Sequence, residues 1–94
     1  MFIVKQHKDV LAVCDANIFG KKYEEGNLQL DLTSEFYDGE KVDEKRVIEL
    51  LSRFGSINFV GEKSIKIGIE KGFIGSENII KIKDIPHAIC LNIV

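Results

Sequence analysis

Asn58, Glu62, Lys63, Ser64 and His87 are the side chains of this chain whose types and spacing could do chemistry together. A histidine titrates near neutrality and can act as acid, base or ligand. A carboxylate or amide beside it, such as Glu62 or Asn58, would orient a substrate. Lys63 and Ser64 are donors, and Gly61 before them stands where a strand would turn into a helix, whose first N–H groups favour an anion. Glu62 opposes that role, because its charge occupies the same positive end of the helix dipole and complements it. Gly61, Glu62, Lys63, Ser64, Pro86 and His87, with Asn58, are therefore a candidate binding edge, and no residue is assigned as catalytic.

Those residues come together only if the elements around them do. Residues 57–60 are apolar enough for a short strand. Between Gly61 and Gly72 two patterns compete. Ile65, Ile67 and Ile69 alternate as in a strand, while Ile65, Gly68, Ile69, Gly72 and Phe73 fit a helical stripe. Ten residues between the two glycines are long for a strand and ordinary for a helix, so the spacing predicts a helix over 62–72, with Gly68 allowing close approach to the sheet. Strands are expected over 79–83 and 88–94, around a turn at 84–87 that contains Pro86. If 57–60, the helix and 79–83 form a βαβ unit, the two strands are parallel. Their carboxyl ends then share the sheet edge where open α/β sheets bind ligands.

Upstream, 2–4 and 10–14 read as a hairpin, after which Asp15 can cap one helical turn over 16–19 that Gly20 ends. Residues 21–26 read as a solvated polar connector. Residues 28–32 alternate as a strand with one wet face, and Asp38-Gly39 has the composition of a tight hairpin turn. Val47, Leu50, Leu51 and Phe54 make an apolar stripe on a helix over 43–54, with Asp43 as N-cap, Val42 stapling Val47, and Gly55 as the stop. The fold class expected is α+β. It is a small single-domain mixed sheet with N-terminal hairpins, two main helices (about 43–54 and 62–72), a βαβ unit and a C-terminal hairpin.

Composition narrows the function classes. Ninety-four residues, 45% hydrophobic and 30% charged, suit one globular domain, residues 1–94. No run of about 18 apolar residues is present to span a membrane, and Lys5 interrupts the start too early for a signal peptide. A cytoplasmic location is expected. The net charge of −2 does not support RNA binding by bulk electrostatics. A local footprint remains in Lys21, Lys22 and Tyr23, with Lys63 as an addition, as RNA-contact candidates, because lysine meets phosphate and tyrosine stacks on a base. Cys14 and Cys90 lie in apolar runs and read as two inert thiols. With His7 and His87 they are too few and too scattered for a zinc spacing, so no metal is assigned. Gly55 and Gly61 miss the phosphate-loop spacing, since Glu62 precedes Lys63, and no cofactor is implied.

One ordered series runs along nearly the whole chain: Cys14-Asp15, Gly20-Lys21, Glu25-Gly26, Phe36-Tyr37 with Gly39, Asn58 with Val60-Gly61-Glu62, and Pro86-His87-Ala88. In this it resembles the small archaeal proteins of domain of unknown function family 424. Family members tend to carry a glycine pair before the apolar-Pro-His segment, where this chain has Lys83-Asp84. The resemblance implies an archaeal, cytoplasmic, single-domain protein and brings no established activity. The reading is a non-catalytic binding module with a protein or ribonucleoprotein partner, RNA- or translation-associated. The alternatives are a small-molecule enzyme using His87 near Glu62, and a subunit whose C-terminal strand edge needs a partner. Oligomeric state stays open.

Overall fold

The run Val10-Leu11-Ala12-Val13-Cys14 is apolar on both faces, and the computed structural model, which describes residues 1–91, uses it as an interior strand. Strand β2 (Val10–Asp15) pairs antiparallel with β1 (Phe2–Gln6), the expected N-terminal hairpin. Its other neighbour is β6 (Ser56–Val60), and that pairing is parallel. β5 (Glu40–Val42) extends the sheet beyond β1. On the far side, β8 (Ile85–Leu91) pairs antiparallel with both β6 and β7 (Ile80–Ile82). The sheet order is thus β5-β1-β2-β6-β8-β7, with β3 (Lys22–Glu25) and β4 (Leu28–Asp31) as a separate hairpin. This is an α+β fold.

Two helices pack on one face. α1 (Glu44–Leu51) begins at Asp43, whose Oδ1 accepts from the Arg46 N–H at 3.0 Å, and it buries Val47, Leu50 and Leu51. It ends before the expected position 54, because Ser52 takes the C-cap and the Gly55 N–H instead donates to Asp9. α2 (Glu62–Glu70) resolves the competition at 62–72 in favour of helix. Its buried Gly68 lies against Ile74 and Phe59, the close approach that the missing side chain permits.

The two sheet faces have separate cores. Leu11, Val13, Ile57, Phe59 and Ala88 face the helices. Ala12, Cys14, Val60 and Ile82 face Leu30, Leu32 and Tyr37 on the hairpin side. The segment expected to be a polar connector, 21–26, is therefore mostly a strand, β3, and its half-buried Tyr23 packs on this second core. Asp38-Gly39 is not a hairpin turn. β4 pairs with β3 and β5 with β1, and a Cβ at Gly39 would collide with the Val4 carbonyl, so a glycine is needed for the backbones to approach.

The strands anticipated at 57–60 and 79–83 run in the same direction, with β8 inserted between them. The C-terminal turn is shorter than expected. Ile82 pairs with Ile85, which leaves Lys83 and Asp84 as a two-residue loop and puts Pro86 and His87 inside β8. Residues 92–94 of the expected last strand lie outside the described residues. Lys83 and Asp84 have φ of 51° and 64°, the left-handed region that a type I′ hairpin turn requires. Each non-glycine residue held there costs about 1–2 kcal/mol. Lys83→Asn with Asp84→Gly should therefore raise stability by about 1 kcal/mol, read as a higher urea midpoint at unchanged m-value.

Candidate functional site

Because β2 and β6 are parallel and β7 runs the same way as β6, the carboxyl ends of all three strands share one edge of the sheet. β2 ends there in Asp15, which is only 4% exposed. At the same corner β6 passes through Gly61 into α2. The Gly61 φ of 105° is open to glycine, and a Cβ there would fall on the Asp15 carboxyl group. Its N–H donates to the Pro86 carbonyl at 2.9 Å, which stitches α2 to the start of β8.

Asp15 then does what the sequence reading did not foresee. Rather than capping a turn over 16–19, its carboxylate caps α2 from 48 residues away. The Lys63 N–H donates to Oδ2 at 2.9 Å, and the Ser64 N–H and hydroxyl donate to Oδ1 at 2.8 and 2.6 Å. An anion was expected at this helix start; the protein supplies it internally. Only a backbone-carbonyl turn remains at 16–19, where the Ile18 N–H donates to Asp15 at 3.3 Å.

Outside this buried node lies a cavity of about 280 Å³. Asp15, Glu62 and Asp84 supply carboxylates and Lys63 one ammonium, with Asn17, Ile18, Gly61, Ile85 and Pro86 completing the wall. A second depression of about 450 Å³ continues from it between α2 and β7. Ile65, Ile69, Ile79 and Pro86 line it, with Lys66, Glu70 and Lys81 at its margin, and it shares Glu62 and Pro86 with the first.

Of the residues expected at this edge, Gly61, Glu62, Lys63 and Pro86 line the cavity, and Ser64 lies buried beneath it. His87 and Asn58 do not. His87 pairs with Val60 and Asn58 with Ala12, both of which belong to the core on the hairpin side, so both side chains turn away from α2. The expected partnership of His87 with Glu62 is therefore not formed. Lys21 and Lys22 are exposed on the hairpin, with Lys22 3.6 Å from Glu24, while the Tyr23 ring is committed to packing. Asp15, Asn17 and Asp84 were the residues missed. Asp15 carried a signal, a carboxylate closing a run of five buried-type residues.

The thiols are divided between the two faces, Cys14 on the hairpin side and Cys90 on the helix side. Burial, helped by the charge of Asp15, pushes Cys14 up to about 12. Burial and then Cys14 push Tyr37 to about 12 as well. Among the described residues no three His, Cys, Asp or Glu side chains are grouped to hold a metal ion.

Removing the Asp15 carboxylate leaves the buried Ser64 hydroxyl and two N–H groups unpartnered. Asp15→Ala should cost about 3 kcal/mol in urea denaturation, and a cycle with Ser64→Ala should show coupling above about 1 kcal/mol. Burial holds His87 below its ordinary 6.5. The unfolded chain therefore binds the proton first, so this contribution is complete above pH 6.5 and is lost as pH falls below it. In His87→Gln the fall in urea midpoint over that acid window should be shallower.

Among curated proteins none matches this chain. A crystal structure of an uncharacterised conserved protein from Methanopyrus kandleri matches with a TM-score of 0.70 at 21% identity, covering 97% of this chain and 90% of that one. At that identity the likeness shows the shared fold. Residues 2–93 match the family described as "Protein of unknown function (DUF424)", and with nearly its whole length matched the chain belongs to that family.

Proposed function

We propose that this chain is a non-catalytic, cytoplasmic binding module that engages a protein, alone or within a ribonucleoprotein, through the corner where β2, β6 and the β7–β8 turn meet. One observation carries this reading. The corner holds a cavity of about 280 Å³ whose strongest acceptor, the Asp15 carboxylate, is committed to α2, while His87 faces the other side of the sheet. A walled recess without an acid–base pair suits recognition better than turnover.

Charge favours protein over RNA at this place. Three carboxylates against one ammonium repel a phosphate backbone. An RNA contact, if the module works on a ribonucleoprotein, falls to Lys21 and Lys22 on the hairpin.

The test is affinity capture from a native lysate, with and without ribonuclease, comparing the parent chain with a Glu62→Lys/Asp84→Lys variant. Both positions are exposed, so circular dichroism should be unchanged, and a lysine at the positive end of α2 and in left-handed backbone should lower stability by no more than about 1–2 kcal/mol. The expected result is a nuclease-resistant protein that cross-links to the corner and is lost by at least tenfold in the variant. Capture that nuclease abolishes and the variant retains would overturn this reading in favour of RNA. Capture of nothing would overturn it as well.

A further inference from the structure

The two depressions at the corner adjoin, one acidic and the other apolar. Glu62 and Pro86 line both and stand at the border between them. The acidic end has Asp15, Glu62 and Asp84 against Lys63. The apolar end has Ile65, Ile69, Ile79 and Pro86, and its marginal charges, Glu70, Lys66 and Lys81 with the shared Glu62, balance. Lys66 is already 3.9 Å from Glu70, which leaves the apolar floor flanked by charges of no net sign.

Two further features bear on what fits there. Ile69 is 47% exposed on α2, so the floor is open to an incoming side chain. β7 ends the sheet, and among the described residues no strand pairs with its outer side. Unpaired N–H and C=O groups of an edge strand accept an added strand, with main-chain bonds giving affinity and pockets reading alternate side chains. An extended segment beside β7 can therefore place side chains over Ile69 and Ile79 while its end reaches the acidic cavity.

Resting on the binding-module reading above, we infer that the occupant is an extended protein segment that puts a lysine or arginine into the Glu62/Asp84 cavity and apolar side chains along the α2–β7 channel. Charge complementarity sets this choice. A segment of two apolar ends would leave the carboxylates facing it without a partner, and an acidic end would be repelled. A second copy of this chain would bring its own β7 edge, Ile80-Lys81-Ile82, a pairing that sedimentation tests below, and nucleic acid would meet the carboxylates first.

The experiment is selection of a phage-displayed random peptide library on the immobilised full-length chain, with selected peptides mapped by amide chemical shifts. Two variants run beside it: Glu62→Lys, which reverses the acidic end, and Ile69→Asp, which places a charge on an exposed part of the floor. The expected result is enrichment of peptides joining a lysine or arginine to apolar residues, with shifts at 62–70 and 80–86. Their affinity should fall at least tenfold in each variant while circular dichroism and amide shifts away from α2 and β7 show both variants folded. Peptides that shift the same residues but carry no basic side chain would overturn this inference and leave the binding-module reading standing. Peptides that map elsewhere, or no enrichment over bare support, would overturn both. A dimer in sedimentation that Ile69→Asp dissolves would give the channel to a second copy and overturn the inference too.

Discussion

A buried carboxylate capping a helix that begins 47 residues later is the constraint on which this structure turns. Asp15 is nearly inaccessible to water, and a lone charge so placed would be strongly unfavourable. It is tolerated because three donors converge on it, two of them N–H groups at the positive end of α2. The arrangement works only if the end of β2 lies directly beside the start of α2. The parallel β2–β6 pairing supplies that adjacency, with Cys14 opposite Val60, and Gly61 leaves the space the carboxylate occupies. The β2–β6 pairing and the start of α2 thus meet at one node.

The same node sets the charge of the corner. A helix N-terminus at the carboxyl edge of a sheet is ordinarily an anion site. Here the Lys63 and Ser64 N–H groups are taken by Asp15 from within, and what faces solvent is an acidic recess with Glu62 and Asp84 at its rim. The glycine-then-helix sequence that suggests phosphate recognition has become a fixture of the fold. The charged groups facing solvent at the corner are accordingly mostly acidic.

Much of this was legible in the chain, for physical reasons that differ by element. The stripe of Val47, Leu50 and Leu51 and the cap at Asp43 specify α1 locally, so no distant contact was needed to find it. Length and bounding glycines specify the helix at 62–70 against an isoleucine alternation that suits a strand. Gly61, Glu62, Lys63 and Pro86 fell at one edge because two strands were read as parallel, which holds even with β8 between them. Register is what takes His87 off the expected edge. Once the turn is at Lys83-Asp84 instead of 84–87, His87 becomes a strand residue, and pairing with Val60 points it to the opposite face. Asp15 was missed because its partner is 48 positions away, and a cap is recognised in sequence only when it adjoins its helix.

The Lys83-Asp84 turn shows how the corner is held from outside its own strands. Two non-glycine residues sit in left-handed backbone, which local preference disfavours, so something remote must support them. The Lys83 N–H donates to the Glu25 carboxylate at 2.7 Å, and Glu25 belongs to the β3–β4 hairpin. That hairpin is a two-stranded unit, too small to be stable alone, and it gains its footing from Leu30 and Tyr23 against the sheet. Hairpin and turn therefore support one another: the turn gives the hairpin a charge-assisted anchor, and the hairpin holds Asp84 where it walls the cavity. The acidic rim of the site is in this sense a property of the second core as much as of α2.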